Sequence, residues 1–524
     1  MNQRLCVMLF CLAALTAGCA GALNNVAPPA GSMAASSAPL KVLSGVIRTD
    51  QFNIPEGKTD LIDGQVTVFA TKGILMEGTL LLGPTSSFRM FSPTVTWDGS
   101  VIVQSYKAIG TVKNDVISAC TFNVDGSLSV SPGDNLHITA GNFGPLRSPC
   151  NTHVYGSIGL PGGIDGYFGE HPHPDGQDGG NIVIGTTSAV SEAEQIAASL
   201  GEKWKADSPY SVAVKGSMFA GNAGEGAPAY KPASNGSNNS YVFSPGKGAD
   251  GGFISVITDK YYGPGGLRAG NGGDGGATVG SYANEDGTAG HPNGVDVVYN
   301  QASGGEGGSV TVVASVSSRD EHFVAGSGGN PTLLSSAGSG NGYNKPATPA
   351  PAPGTGGNLT IKLGLIGPAG HGTTANEPSP PDGSYTEIDV GGGDGGTATA
   401  GQAGPVSGAN GGSFTLIAPK GATVAQLQKQ GLKTIKLLAF GIGGTSGNNC
   451  PSPGVAGPNG ANAGNLHDAG FSALFTITSS VQYGPVSFSG GSGANGSPPG
   501  QPGMQGKDDE GALLGNPGSA GNDC

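Results

Sequence analysis

Short apolar runs that alternate with polar residues recur along much of the chain, and they predict β-strands. In the segment 41–150 three of these runs follow a corner of one acidic residue and one glycine, at Asp63, Asp98 and Asp125. The glycine after each aspartate can adopt the positive φ of a tight corner. The corners lie 35 and 27 residues apart, a spacing typical of the turns of a solenoid.

A second template, Gly-Gly followed by one variable residue and a strand, repeats in the later part of the chain. Its five copies begin at Gly179, Gly251, Gly307, Gly356 and Gly411. The uneven intervals between copies predict one strand per unit with a long variable excursion. We expect a strand at 473–477 to close the series.

Glycine occupies every third position in several runs between these strands. One run contains Gly270, Gly273 and Gly276, and another contains Gly454, Gly457 and Gly460. A period of three is that of polyproline II, whose glycine faces let neighbouring chains approach closely. The register favours an ordered bundle, and the alternative is a set of glycine-rich loops without fixed structure.

Two segments instead have the spacing of short helices. In 191–200 the pair Ser191 and Glu194 forms a capping box ahead of apolar residues at helical spacing. The second predicted helix is 423–430, which Gly431 ends before a strand at 433–440.

These elements predict an all-β protein, a right-handed parallel β-solenoid with glycine-rich, polyproline II-like excursions and two short helices. The pattern resembles the right-handed parallel β-helix proteins of bacterial surfaces, and this architectural resemblance implies no particular activity. We divide the chain into a signal peptide at 1–18, a flexible tether at 19–40, an N-terminal solenoid segment at 41–150, glycine-rich solenoid repeats at 151–490 and a glycine-rich tail at 491–524.

The first residues predict export. A short, weakly positive start and the apolar run 5–15 lead into the stretch 16–19 (Thr-Ala-Gly-Cys), which resembles the signal peptide of a bacterial lipoprotein. The resemblance implies cleavage before Cys19, acylation of that cysteine with palmitate, and, with Ala20 in place of Asp, an outer-membrane location in the cell envelope. The alternative is an ordinary signal peptide cut elsewhere.

Composition narrows the partners. The chain has 98 glycines in 524 residues, 12% charged residues and a net charge of -13. Without a basic cluster it lacks the attraction that phosphate backbones require, so nucleic acid is not an expected partner. The expected membrane contact is the lipid, and the expected ligand is a glycan or a surface protein. We expect no cofactor.

Four cysteines remain after those of the signal and Cys19, namely Cys120, Cys150, Cys450 and Cys524. An even number in an oxidising compartment indicates two disulfides, and four cysteines allow three pairings. We expect the pairs that are local in sequence, Cys120 with Cys150 and Cys450 with Cys524.

The densest group of metal-ligand types is His171, His173, Asp175 and Asp178. Two imidazoles and two carboxylates could hold a divalent cation. The interspersed prolines keep the segment extended, however, which favours a solvated loop.

The leading hypothesis is a non-catalytic, surface-anchored lipoprotein whose solenoid serves adhesion or envelope interaction. The sequence leaves catalysis open and favours its absence. The alternative is a carbohydrate-active β-helix enzyme or a glycan-binding module, in which Trp97, Trp204, Tyr261 and Tyr262 would stack on sugars. Equivalent threonines at 311, 360 and 415 predict a polar strand face.

Overall fold

The computed structural model describes residues 40–83, 86–103, 111–146, 149–168, 172–230, 241–243, 245–262, 265–276, 278–279, 297–299, 302–316, 321–331, 344–346, 352–363, 386–398, 407–418, 421–429, 432–446, 456–468, 471–478 and 487–523. Cys19 and the rest of the predicted signal and tether before residue 40 lie outside these ranges. Within them, no helix has both the length and the apolar character needed to cross a membrane.

β-Strands dominate the described residues, which confirms the all-β class, and most strands belong to one sheet of 26. The strands are Lys41–Ile54, Thr59–Met76, Thr79–Leu82, Ser87–Phe91, Thr94–Trp97, Ser100–Val103, Asn114–Ser118, Thr121–Val124, Ser127–Leu128, Asn135–Asn142, Asn151–Val154, Ser157–Gly159, Ile182–Ile184, Lys205–Asp207, Ser211–Val214, Ser217–Phe219, Ala229–Tyr230, Tyr241–Phe243, Ile254–Tyr262, Gly266–Arg268, Thr278–Val279, Val297–Tyr299, Val310–Val316, Glu321–Ala325, Asn344–Pro346, Leu359–Leu363, Thr386–Gly392, Phe414–Ile417, Leu432–Phe440, Leu466–His467 and Phe475–Thr478. The helices among the described residues are Thr187–Ser199, Val424–Lys429 and the short 3-10 helix Ser472–Leu474.

The large sheet consists of three parallel ladders, in which each strand pairs with the strand one circuit further along the chain. The first ladder contains 41–43, 59–62, 79–82, 100–103, 127–128, 157–159, 217–219, 266–268, 321–325, 386–392, 432–440 and 475–478. The second contains 45–49, 65–69, 87–91, 114–118, 135–139, 182–184, 254–257, 310–314, 359–363, 414–417 and 466–467. The third contains 51–54, 73–76, 94–97, 121–124, 151–154, 211–214, 260–262 and 315–316.

The side chains that point inward from the ladders form the hydrophobic core. One inward column of the second ladder consists of Leu136, Ile182, Ile254, Val310, Leu359, Phe414 and Leu466, which are buried and paired in register. Each large side chain buried in this way contributes about 1.5–3 kcal/mol. Since side chains alternate along a strand, the residues between these positions lie on the outer face.

The second glycine of the Gly-Gly template lies where successive circuits come closest. A Cβ placed on Gly252 would lie 2.1 Å from the carbonyl oxygen of Gly180, and one on Gly308 would lie 2.0 Å from that of Gly252. The corresponding distances are 2.0 Å at Gly357 and 1.9 Å at Gly412. A larger residue at these positions would force two backbones apart, which explains why the template requires glycine.

The template has a sixth copy that the sequence pattern did not reveal. The strand at 466–467 follows Gly464, whose Cβ would lie 1.8 Å from the carbonyl oxygen of Gly412. Ala463 replaces the first glycine of this copy, so the Gly-Gly signature is missing. The expectation that a strand at 473–477 closes the series is wrong, because that strand pairs within the first ladder.

Glycines at every third position connect the glycine-rich segments through backbone hydrogen bonds. The N–H groups of Gly270 and Gly273 donate to the carbonyl oxygens of Gly252 and Ala249, both at 2.8 Å. The period of three therefore corresponds to ordered contacts in these segments. The alternative of loops without fixed structure is wrong for them.

The helix Thr187–Ser199 begins earlier than the sequence predicts. Thr186 is its N-cap, because Thr186 Oγ1 accepts a hydrogen bond from the N–H of Ala189 at 3.3 Å. The predicted start at Ser191, with its capping box to Glu194, is wrong. A threonine upstream already provides the cap for the exposed N–H groups of the first turn.

This helix covers the outer face of the second ladder in its early circuits. Phe69, Phe91, Val116, Ala193, Ile196, Ala197 and Trp204 form a second hydrophobic cluster there, which we call the helix-covered patch. The Trp204 ring meets the Phe91 ring edge-on with centroids 5.5 Å apart, and its Nε1 donates to Ser118 Oγ at 2.9 Å. The strand Lys205–Asp207 then pairs antiparallel with residues 140–142.

Polar contacts fix the helix at the edge of this patch. Glu192 accepts a hydrogen bond from Asn114 Nδ2 at 2.9 Å and lies 2.5 Å from His137 Nδ1. Burial raises the pKa of Glu192, but hydrogen bonds from His137 and Asn114 and the nearby charges of His137 and Arg89 outweigh burial. The pKa of Glu192 therefore lies below its ordinary range.

The second predicted helix is observed at Val424–Lys429. Thr423 Oγ1 accepts from the N–H of Gln426 at 3.2 Å, and Gln426 Oε1 accepts from the N–H of Thr423 at 2.8 Å. These reciprocal bonds are a capping box. Gly431, the predicted end signal, lies outside the described residues.

Candidate functional site

Beyond the helix-covered patch, the outer face of the second ladder presents a column of hydroxyl residues. Ser255, Thr311, Thr360 and Thr415 pair directly in register on four successive rungs. Each is half-buried, and adjacent rungs are about 4.8 Å apart. We call these four residues the hydroxyl face. Its spacing is fixed by the backbone ladder and not by flexible side chains.

The polar residues beside the hydroxyl face hold one circuit to the next. The N–H of Asn358 donates to Ser309 Oγ at 3.0 Å, and the N–H of Ser413 donates to Asn358 Oδ1 at 2.8 Å. The N–H of Asn465 donates to Ser413 Oγ at 3.0 Å. These residues occupy the variable position of the Gly-Gly template, so the side chain at that position binds the backbone of the next circuit. Among the described residues, no side-chain hydrogen bond engages the threonine hydroxyls of the face.

A shallow groove of about 300 Å³ opens at the start of the hydroxyl face. It is lined by Asp250, Phe253, Ser255, Glu306, Ser309 and Thr311, with glycines between them. Phe253 is 41% exposed, and Asp250 Oδ1 accepts a hydrogen bond from the N–H of Glu306 at 2.7 Å. Two carboxyl side chains, hydroxyls and one aromatic ring therefore meet in one groove.

Elsewhere in the glycine-rich segments, aspartates bind the backbone of the following circuit. Asp274 Oδ1 accepts from the N–H of Asn330 at 2.7 Å, and Asp394 Oδ1 accepts from the N–H of Ile442 at 3.1 Å. Burial raises the pKa of Asp394 to about 7, although its backbone hydrogen bond opposes the change. These aspartates hold the glycine-rich segments together.

The two aspartates among the predicted metal ligands are used in the same way. Asp175 Oδ1 accepts from the N–H of Lys247 at 2.7 Å, and Asp178 Oδ1 accepts from the N–H of Asp250 at 3.0 Å. The ring of His173 contacts that of Tyr167, with centroids 5.9 Å apart. His171 lies outside the described residues, and among the described residues no group of three or more His, Cys, Asp or Glu side chains is placed to hold a metal.

Among the described residues, Asp115 and Asp134 are buried acids that the sequence pattern did not reveal. Asp115 is fully buried at an inward position of the second ladder and accepts a hydrogen bond from the N–H of Phe88. Burial raises its pKa well above the ordinary value. Asp134 accepts from the N–H of Lys113 at 2.7 Å, and burial raises its pKa to about 7. Asp115 lies within a short strand and Asp134 lies just before one. An aspartate at either place resembles a surface position in sequence, so only the fold identifies these groups as buried.

The aromatic residues expected to stack on sugars are mostly internal. Trp97 and Tyr261 are completely buried in the core, and Trp204 is buried beneath the helix. Of the four residues, only Tyr262 reaches the surface, where it is half-buried. The expectation that these four rings together form a sugar-binding surface is wrong, because strand alternation turns Trp97 and Tyr261 into the core and the helix Thr187–Ser199 covers Trp204.

The structure joins Cys120 and Cys150 in a disulfide with their Cα atoms 4.5 Å apart. This bond connects the turn before one third-ladder strand to the same turn in the next circuit. Cys450 and Cys524 lie outside the described residues, so their pairing stays a prediction. The same holds for the lipidation of Cys19.

Comparisons with known proteins do not identify a family or a relative for this chain, so its function is inferred from the geometry described above. The resemblance to lipoprotein signals and to bacterial surface β-helices therefore rests on the residues that suggested it. No protein-family model, no curated protein and no solved structure matches the chain.

Proposed function

We propose that the chain is a lipid-anchored protein of the bacterial outer membrane that presents the hydroxyl face for non-catalytic adhesion. In this proposal the three ladders wind as a right-handed parallel β-solenoid, and the glycine-rich segments are polyproline II-like excursions from it. The carrying observation is the register of Ser255, Thr311, Thr360 and Thr415 on adjacent rungs. A rigid row of hydroxyl groups suits hydrogen bonding to a repetitive partner such as a glycan.

The anchor is supported by the stretch 16–19 and by the disulfide between Cys120 and Cys150. Disulfides persist mainly in oxidising compartments such as the bacterial periplasm and the cell surface. Two or more acyl chains on Cys19 would hold the protein stably in a leaflet, because each buried CH2 contributes about 0.8 kcal/mol.

The absence of catalysis is supported by what the carboxylates bind. Asp175, Asp178, Asp274 and Asp394 each accept a backbone hydrogen bond from the next circuit. A carboxylate in that role stabilises the fold, whereas glycoside hydrolysis requires two carboxyl groups that face a sugar.

Metabolic palmitate labelling tests the anchor. We expect the wild type to incorporate label and the Cys19→Ala variant to incorporate none. Cys11→Ala is the matched control, since Cys11 lies in the predicted signal and should leave labelling intact. Equal labelling of wild type and Cys19→Ala would contradict the anchor.

A glycan array tests adhesion. We expect the purified full chain to bind at least one glycan, and replacement of Thr311, Thr360 and Thr415 by valine to weaken binding about tenfold or more, because hydrogen-bonding groups are lost. The matched control replaces the half-buried threonines of the third ladder, Thr94, Thr96 and Thr121, by valine. Equal losses in the two triple variants would refute a specific role for the hydroxyl face.

The groove favours one second candidate, a carbohydrate-active enzyme. Asp250, Glu306 and Phe253 all line it, and glycoside hydrolysis uses a pair of carboxyl groups. Unlike the other aspartates that accept a backbone hydrogen bond from the next circuit, Asp250 does so while lining a groove. If this candidate is correct, Glu306→Gln abolishes release of reducing ends from a bound glycan while binding persists. Binding of glycans by the wild type without any release of product would support adhesion instead.

A further inference from the structure

A cluster of aromatic and basic residues lies on the outer side of the third ladder, away from the hydroxyl face. It consists of His153, Tyr155, Tyr210, Lys215, Lys260 and Tyr262, and we call it the tyrosine patch. The rings of His153 and Tyr155 meet edge-on with centroids 5.7 Å apart, and the Tyr262 hydroxyl lies 3.4 Å from His153 Nε2. These contacts join three rings into one surface.

The register shows how Tyr262 is oriented. His153 pairs with Ala213, and Ala213 pairs with Tyr262, so the two aromatic residues are two rungs apart. Two rungs span about 9.6 Å. A tyrosine whose hydroxyl reaches His153 must therefore extend along the ladder, across the small Ala213. The Tyr262 ring therefore lies along the outer side of the ladder, where it is half-buried.

Two lysines accompany the rings. Lys215 Nζ lies 4.8 Å from the centroid of the Tyr155 ring, and Lys260 Nζ lies 5.3 Å from that of Tyr210. Tyr155 is 40% exposed, and Lys215 is exposed. A cation held over an aromatic face is attracted by the ring, so each ammonium group is positioned before a ligand arrives.

The charge changes sign at this patch. The corner that leads from the third ladder to the first carries Asp98 and Asp125 in earlier circuits, and it carries Tyr155 and Lys215 in the next two. The glycines that follow these corner residues stack closely, which places the residues in one column. Burial and the neighbouring charge of Asp125 raise the pKa of Asp98, as expected for adjacent acids. An anionic ligand is therefore repelled from the early corners and attracted to the later ones.

We propose that the tyrosine patch binds an acidic polysaccharide built of uronic acid units. Tyr155 and Tyr262 stack on the apolar faces of the sugar rings, and Lys215 and Lys260 pair with the carboxylates. The proposal goes beyond adhesion by the hydroxyl face, because it assigns a second surface and the chemical class of its ligand. It does not depend on the hydroxyl face or on the lipid anchor.

Calorimetric titration of the purified full chain with polygalacturonate, a linear polymer of uronic acids, tests this assignment. We expect saturable binding that weakens as salt is raised, since screening reduces attraction between exposed charges. Tyr155→Ala should weaken binding about tenfold, and Tyr155→Phe should retain most of it. Lys215→Gln combined with Lys260→Gln should remove most of the salt dependence.

Phe219→Ala is the matched control, because it removes a similarly exposed aromatic side chain, 41% exposed, from the first ladder; it should leave polygalacturonate binding unchanged. The triple valine variant of the hydroxyl face should also bind normally, so failure of the adhesion proposal would not imitate failure here. Circular dichroism of each variant checks that it is folded. The assignment is overturned if polygalacturonate does not bind, if a neutral dextran binds equally well, or if folded Tyr155→Ala binds like the wild type.

Discussion

The second ladder has two halves that share one backbone geometry and differ in what their outer faces carry. In the early half, Phe69, Phe91 and Val116 point outward and pack beneath the helix Thr187–Ser199. In the late half, Thr311 and its register partners lie at the surface. The backbone pairing is parallel and in register in both halves.

The two halves differ in their outward side chains and in whether a helix covers them. Large apolar groups on an outer face must be covered to be removed from water, and the excursion that leaves the ladder after Ile184 supplies that cover. Hydroxyl groups form hydrogen bonds with water, so the outer face of the late half needs no such cover. The same scaffold therefore builds a second core in one half and a binding surface in the other.

The largest expected effect comes from removing the centre of the helix-covered patch. Trp204→Ala should destabilise this region by about 3–5 kcal/mol, because it deletes a buried ring and leaves a cavity. Amide exchange should accelerate across 187–199 and remain slow across 359–363. Equal acceleration of exchange in both segments would show that the late half depends on the helix-covered patch for its stability as much as the early half does.

Added volume at a close backbone contact of the late half should also be destabilising. Gly308→Ala should destabilise the protein by about 2–3 kcal/mol, because the new Cβ would lie 2.0 Å from the carbonyl oxygen of Gly252. Gly159→Ala is the matched control, since nothing lies within 4 Å of its added Cβ. Denaturant unfolding measures both, and equal midpoints would contradict the close packing of circuits.

A smaller effect on stability, which depends on pH, is expected from the polar contacts of the early half. The pKa of Glu192 is lowered in the folded state from its ordinary value of 4.5, so its contribution is present above that value and is lost as pH falls through the folded pKa. Glu192→Gln should cost about 1 kcal/mol at pH 7, after discounting for solvent screening, and nothing near pH 2.

Denaturant unfolding at pH 7 and near pH 2 provides that measurement. The exposed Glu306→Gln of the late half is the control and should change stability little at either pH. A cost of Glu192→Gln that is the same at both pH values would contradict the charge-assisted contacts of the helix.

The smallest expected effect is at the exposed end of the hydroxyl face. Phe253→Ala should change stability by no more than about 0.5 kcal/mol, because the ring is 41% exposed and lies outside the core. Thermal unfolding of this variant beside Trp204→Ala compares one aromatic deletion in each half. Similar shifts in the two unfolding midpoints would mean that the exposure of an aromatic side chain on the outer face does not determine how much it stabilises the protein.

Much of the scaffold could be predicted from sequence, because its constraints are local and repeat. The Gly-Gly template located five strands, and the threonines at 311, 360 and 415 predicted a polar face that the pairing confirms. The sixth template copy was missed since Ala463 removed its first glycine. The start of the first helix was misplaced because Thr186 and Ser191 are both acceptable caps, and only tertiary packing chooses between them.

The candidate sites were less predictable, since they depend on which residues meet across circuits. The sequence selected Trp97 and Tyr261 as sugar-stacking residues, but their phase along the strand turns them inward. It overlooked Tyr155 and Lys215, which are far apart in the chain and come together only because successive corners stack.

By itself, the sequence determined the all-β class, the glycine positions that allow backbones to touch, the period of three in the glycine-rich segments and the polar character of one strand face. These follow from steric and periodic rules that act over a few residues. Tertiary structure alone decided the register of the ladders, the half of the outer face that the helix covers, and the meeting of aromatic and basic residues on the third ladder. The physical reason is that each circuit contributes only one rung, so every surface of several rungs is assembled from residues distant in sequence.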